Sequence, residues 1–166
     1  ADENGVGNGG TPLGIVISNG EFKYGENAAA TNIVGFDNNN LLHVGTMTPQ
    51  KLKELNIRDA VSFGPAIVIN SKPIKTSGIA GGLNPRTAIG QRADGAVLLL
   101  VIDGRQPHSL GANLKDLADI MIEHGAINAG NLDGGSSTMM YYEGKLANTC
   151  ASLYGPRKIP NGFLVR

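Results

Sequence analysis

Three stretches of the chain carry residue types that could do chemistry. In Asn128-Ala129-Gly130-Asn131-Leu132-Asp133-Gly134-Gly135-Ser136-Ser137-Thr138-Met139-Met140, an apolar run ends in one carboxylate, Asp133. Two glycines and three consecutive hydroxyls follow before the chain turns apolar again. Glycine lets backbone N–H groups approach a ligand closely, and concave nests of such groups favour anions. Asp133 beside Gly134 and Gly135 would add a fixed negative charge or a proton acceptor. The same residues also suit a plain strand connection, with Asp133 capping a turn and the hydroxyls satisfying loose backbone groups. In the second stretch, Val101-Ile102-Asp103-Gly104-Arg105, a carboxylate and a guanidinium leave the end of an apolar strand. That is a normal location for binding groups, and equally a place for an Asp-Gly turn with Arg105 solvated. The third is Pro85-Arg86, which closes a Gly-, Pro- and Lys-bearing loop over residues 72–84; loops of that length in a compact domain usually serve function or mobility.

Several other chemistries lack the pattern they need. Gly5-x-Gly7-x-x-Gly10 spells a dinucleotide fingerprint, but it follows no strand and opens no helix, as a Rossmann loop must. Ser136 has no G-x-S-x-G elbow, and no histidine is placed to serve it. His43 lies inside an apolar run and reads as a satisfied core or edge residue, while His124 suits a helix C-terminus. Cys150 is the single cysteine, so an internal disulfide is excluded. Asp103 and Asp133 could hold a hard cation such as Ca²⁺ with loop carbonyls, yet no ligand spacing requires a metal, and no cofactor is expected. Fourteen basic and fourteen acidic residues cancel, which argues against a partner bound through its phosphate backbone, so no nucleic acid is expected. No apolar run approaches the roughly twenty residues of a membrane span, so no membrane insertion by this segment is expected.

The elements that must position these groups follow from local signals. With 166 residues and 24 glycines, the chain fits one domain of short strands and many turns. Asn19-Gly20 joins residues 13–18 to 21–24 as a hairpin. A polar turn over residues 37–40 joins two further strands, and Thr48-Pro49 starts a short helix ending near Asn56. Gly64-Pro65 breaks residues 60–70 into two runs and demands a bend or bulge. Asp94-Gly95 makes a second hairpin, whose later arm, residues 96–102, is apolar enough to expect burial on both faces. Asn113, with Asp116 behind it, caps a helix that Gly125 ends. Residues 126–132 run into the Asp133 loop, Glu143-Gly144 turns, and residues 159–165 are expected to close the sheet. The fold class expected is α+β, a mixed, mainly antiparallel β-sheet with a few short helices in a single domain, with Asp103 and Asp133 near one another at strand ends.

Phe63-Gly64-Pro65, Pro85-Arg86-Thr87-Ala88-Ile89-Gly90, Asp94-Gly95, Val101-Ile102-Asp103-Gly104-Arg105, Leu117-Ala118, Gly125-Ala126 and Asn131-Leu132-Asp133-Gly134-Gly135-Ser136-Ser137-Thr138-Met139 occur in that order. This ordered set resembles the phosphodiester glycosidase domain family, whose animal member is the uncovering enzyme and whose bacterial members are exported, exopolysaccharide-related proteins. The likeness is strong from Phe63 onward and looser before it. There are two departures. Family domains carry a further N-terminal region with an early Asn-Gly-Gly segment, whereas Asn8-Gly9-Gly10 lies almost at the start here, so part of the domain is expected to be missing. Many relatives have three glycines after the loop aspartate, and here there are two.

The resemblance implies cleavage of a sugar-1-phosphodiester at the anomeric carbon of an extracellular or cell-surface glycan. It implies Asp133 and Asp103 as the catalytic carboxylates, with their division of roles open. Arg86 and Arg105 would clamp the phosphate, with Arg157 a weaker third. Asn131, Gly134, Gly135, Ser136 and Ser137 would bind phosphate or sugar oxygens. A module of the same fold that binds exopolysaccharide or wall polymer without turnover is the alternative.

Overall fold

In the computed structural model, residues 9–74 and 81–165 are described. The strands are β1 (Val16–Ser18), β2 (Glu21–Tyr24), β3 (Thr31–Asp37), β4 (Leu42–Met47), β5 (Ile57–Ser62), β6 (Ala66–Ile69), β7 (Lys72–Pro73), β8 (Arg86–Arg92), β9 (Val97–Ile102), β10 (Ala126–Leu132), β11 (Tyr141–Tyr142) and β12 (Lys145–Leu146). Two α-helices, α1 (Pro49–Glu54) and α2 (Leu114–Glu123), and a 3-10 turn over Gly135–Ser137 complete the elements. One sheet runs β2-β1-β5-β3-β4, the other β7-β6-β10-β8-β9, and β11-β12 forms a small hairpin. Every strand pair among the described residues is antiparallel. The α+β reading therefore holds.

Local chemistry sets the elements. Asn19 and Gly20 take φ of +52° and +78°, the two left-handed positions of a hairpin turn whose twist suits antiparallel strands. The Thr48 hydroxyl accepts from Lys51 N–H at 3.2 Å, with Pro49 opening α1. Asn113 and Asp116 form a reciprocal capping box on α2, and Gly125 follows with φ +84°.

The two sheets stack face to face, with a helix on each outer face. Val34, Phe36, Leu42 and Val44 of the first sheet meet Ala66, Ile89 and Leu132 of the second, and Phe163 joins them edge-on to Phe36. Leu52 of α1 packs with Ile15, Ile17, Ile33 and Ile57, and Leu114, Leu117, Ala118 and Met121 of α2 pack on Ile67, Val68, Ala88 and Ala129. Gly130 makes the close sheet-to-sheet approach feasible, because a Cβ there would lie 2.5 Å from Val34 Cγ2. The break at Phe63-Gly64-Pro65 is where the chain leaves β5 in one sheet and enters β6 in the other.

Two expectations are corrected. β9 is an edge strand, and Val97 and Leu99 stand 44% and 46% exposed while Leu98, Leu100 and Ile102 face the α2 side. It is buried on one face only, because nothing in the described chain covers the other. Residues 159–165 form no strand; the Phe163 ring packs against the core between the sheets.

Candidate functional site

The site is built around Pro85, where β8 begins. Three glycines from different segments grip the backbone of Asn84 and Pro85: a Cβ on Gly104 would come within 2.6 Å of Pro85 N, one on Gly111 within 2.5 Å of Asn84 O, and one on Gly134 within 2.7 Å of Pro85 O. Asn84 and Ala112 exchange backbone hydrogen bonds, and Gly135 N–H donates to Pro85 O at 2.9 Å. Only residues without a side chain permit this convergence. It places the exit of β9 against the loop that leaves β10.

On that frame the charged groups are arranged in two sets. Asp133 accepts from Gly134 N–H at 3.0 Å and from Arg157 Nη2 at 3.2 Å; both side chains of the ion pair are one-third exposed. Arg105 takes a left-handed φ of +57°, a strained backbone for a residue with a side chain and one that recurs at functional sites. Its guanidinium lies 3.6 Å from where a Cβ of Gly135 would stand, and Nη2 donates to Asn84 Oδ1 at 2.7 Å. Two guanidinium groups therefore lie against the loop from Asp133 to Ser137.

Asp103 is held more tightly. Its Oδ1 accepts from Thr149 N–H at 2.9 Å and from Asn148 Nδ2 at 3.3 Å, and its Oδ2 contacts His108 Nε2 at 3.2 Å. Burial pushes this carboxyl's pKa upward, but the hydrogen bonds from His108, Thr149 and Asn148 outweigh it and hold the group below the ordinary aspartate value. Asn148 also donates to Thr138 O and accepts from Met140 N–H, so one amide links Asp103 to the chain just beyond the Asp133 loop. The two acidic segments thus join one cluster of loops.

Arg86 stands apart from the other two arginines. Its Nε donates to Ala112 O at 2.9 Å, and its Nη2 to Gly81 O and Gly82 O, each at 3.0 Å; burial lowers its pKa. The fork is directed at backbone carbonyls that shape the loop. Asn131 is buried, with Nδ2 donating to Gly64 O at 2.8 Å and N–H to Pro65 O at 3.0 Å, so it ties β10 to the crossover between sheets. Ser137 and Thr138 are buried, while Ser136, Gly134 and Gly135 are half-buried.

Among the described residues, five buried side-chain polar atoms lack a hydrogen-bond partner: Thr87 Oγ1, Asn131 Oδ1, Ser137 Oγ, Thr138 Oγ1 and Arg157 Nε. Four of them belong to β10, the loop after it, or the arginine that pairs with Asp133. Buried polar groups are normally paired, and these unpaired ones are concentrated along β10, the loop after it and Arg157. Among the described residues, no three His, Cys, Asp or Glu side chains gather as metal ligands do, and both Asp103 oxygens already have partners. No helix is long and apolar enough to cross a membrane. Residues 1–8 and 75–80, which include Gly5, Gly7, Asn8 and part of the 72–84 loop, lie outside the described residues.

Sequence reasoning passed over Asn84, His108 and Asn148. His108 sits five residues after Asp103 in a turn-rich stretch, and that proximity was the one local signal available for it. Asn84 and Asn148 act across 21 and 45 positions, and no local pattern marks them.

A family model described as phosphodiester glycosidase matches residues 2–166. The SPbeta prophage-derived uncharacterized protein YomE of Bacillus subtilis (strain 168) is 38% identical over 95 residues, 55% of this chain and 15% of that protein. The bovine (Bos taurus) N-acetylglucosamine-1-phosphodiester alpha-N-acetylglucosaminidase is 38% identical over 66 residues, 40% of this chain and 12% of that enzyme. The catalytic domain of the zebrafish enzyme of the same name, solved in a form auto-inhibited by its pro-peptide, superposes with a TM-score of 0.73 at 23% identity. That match covers 90% of this chain and 56% of that one. The chain thus spans a small part of the curated relatives and about half of the zebrafish domain.

Proposed function

Because the chain belongs to the phosphodiester glycosidase family, we propose that it hydrolyses a sugar-1-phosphodiester at the anomeric carbon, acting on a glycan at the cell surface or outside the cell. The C1–O bond breaks, water supplies the new hydroxyl on C1, and the departing phosphate oxygen keeps the electron pair as part of a monoester. Such a group leaves readily, so the site has less need of a strong acid than ordinary glycoside hydrolysis. It needs positive charge where the phosphate gathers electrons.

The observation that carries this reading is the loop from Asp133 to Ser137 with two guanidinium groups against it, Arg105 beside Gly135 and Arg157 on Asp133. Arginine matches phosphate oxygens in a forked, charge-assisted geometry, and the guanidinium groups of Arg105 and Arg157 both lie against this loop. Arg86 shapes the loop behind them. Asp133 is assigned to water activation or to stabilising positive charge developing on the sugar ring. Asp103, kept ionised by its hydrogen bonds, acts as a fixed negative charge and as the tie between loops. The backbone of Gly134 and Gly135, whose N–H groups are held by Asp133 Oδ1 and Pro85 O, would shape the surface on which Ser136 and Ser137 hold phosphate or sugar oxygens.

The test is release of free sugar from a soluble sugar-1-phosphodiester, with Asp133→Asn as control. Release by the parent chain and loss in the variant support the reading. Saturable glycan binding by a folded chain that releases no sugar would favour the binding module instead.

A further inference from the structure

Arg105 holds an unfavourable backbone conformation, and its guanidinium is exposed, yet it has a defined place beside Gly135. A long, charged side chain on the surface loses rotamer entropy when fixed in one position, so something must hold it. The one hydrogen bond the described residues give its guanidinium comes from a single amide: Asn84 Oδ1 accepts from Nη2 at 2.7 Å. We propose that Asn84 is the positioning residue of the anion subsite, aiming the Arg105 guanidinium at the Gly134–Gly135 loop without itself touching the substrate. The inference rests on the reading of Arg105 as a phosphate clamp.

Asn84 is well suited to that task. Its backbone is locked on both sides by Ala112, through N–H to O at 3.2 Å and O from N–H at 3.0 Å, and Gly111 presses against it where no Cβ could fit. Its Nδ2 donates to Gly81 O, which also receives Arg86 Nη2; the donor end of the amide is thereby fixed and the oxygen is left facing Arg105. An uncharged acceptor is the appropriate choice. It orients the guanidinium through one N–H while leaving the remaining donors and the full positive charge for a ligand. A carboxylate at the same place would hold the arginine more strongly but compete with phosphate for it.

Inorganic phosphate is the probe, titrated calorimetrically into the full chain at fixed low salt, since phosphate binding does not depend on turnover. Asn84→Ala is expected to weaken phosphate binding about tenfold, the scale of one lost charge-assisted contact. Asn84→Asp keeps an acceptor for Arg105 but loses the donor to Gly81 O, so it is expected to melt no lower than Asn84→Ala, yet it weakens phosphate at least as much, and the deficit shrinks as salt rises. A merely structural asparagine would show the reverse, with stability and affinity moving together. In an Arg105→Ala background, Asn84→Ala should have no further effect on affinity, because the two residues act as one unit.

Full phosphate affinity in folded Asn84→Ala or Asn84→Asp overturns the proposal, and so does additivity of the two alanine variants. If Arg105→Ala leaves phosphate affinity unchanged, or the parent chain shows no saturable phosphate binding, the clamp itself is refuted and Asn84 falls with it. Sugar release, measured separately, stands or falls on its own.

Discussion

Gly134→Ala is the sharpest test of how the site is assembled. Gly134 has φ −115°, so alanine can adopt its backbone without penalty, and the whole effect must come from the added methyl. That methyl would stand 2.7 Å from Pro85 O and must recede by about 0.7 Å to reach the 3.4 Å where ordinary contact begins. Pro85 cannot yield, being fully buried and wedged by Gly104, so the Asp133 loop has to move and the 2.9 Å hydrogen bond from Gly135 N–H to Pro85 O is strained or lost. Overpacking and one lost backbone bond together predict a destabilisation of about 2–4 kcal/mol. For a chain of this size that lowers the melting temperature by about 5–15 °C. A displacement of that order at reacting groups also predicts a fall in sugar release of about 10–100-fold at temperatures where the variant remains folded. Calorimetry and the release assay, run together, separate the two effects. Gly144→Ala is the control: nothing lies within 4 Å of its Cβ position, so only its φ of +75° opposes the change, at about 1 kcal/mol. A Gly134→Ala chain that melts within a degree of the parent and releases sugar at the parent's rate would refute the idea that the glycine contacts with Pro85 shape the loop.

Other consequences follow from single contacts. Gly130→Ala places a methyl 2.5 Å from Val34 Cγ2 between the sheets, which should cost about 1–3 kcal/mol in denaturant unfolding without altering phosphate affinity. Arg86→Lys should destabilise the fold almost as much as Arg86→Ala, because an ammonium cannot reproduce the fork onto Ala112, Gly81 and Gly82 carbonyls; recovery of parental stability with lysine would disprove that role. Asp103 and Asp37 both have folded-state pKa values below the ordinary one. For Asp37, burial raises it but the hydrogen bonds from Leu41 N–H, His43 and Asn39 N–H prevail. A depressed folded pKa contributes stability above the unfolded value and loses it as pH falls through the folded one. The chain should therefore lose stability on acidification through and below the ordinary aspartate range, near pH 4, and Asp37→Asn or Asp103→Asn should flatten that part of the curve. An unchanged acid limb in both variants would contradict the assignment.

Much of the fold was legible locally, because its signals act over a few residues. Asn19-Gly20 and Asp94-Gly95 turned where they were expected, Thr48-Pro49 and Asn113 with Asp116 started the two helices, and Gly125 followed the second. The ordered motifs from Phe63 onward indicated the family, since glycines and charged residues at fixed spacings are set by backbone shape and ligand chemistry rather than by packing. The sequence could not say which face of an apolar strand would find a partner. β9 is apolar at every position, yet it ends at an edge with Val97 and Leu99 in solvent, because burial depends on which layer covers a strand.

The same limit applies to the site. That Asp133 leaves a buried strand between glycines was plain from its neighbours. That Arg86 turns to backbone carbonyls, Arg105 to Asn84, Arg157 to Asp133 and Asp103 to Asn148 and Thr149 was decided only when segments 21 to 46 positions apart were brought together. Side-chain type records what a residue could bond. Its partner is fixed by what the tertiary fold brings within about 3 Å, and that distance is not written in local sequence.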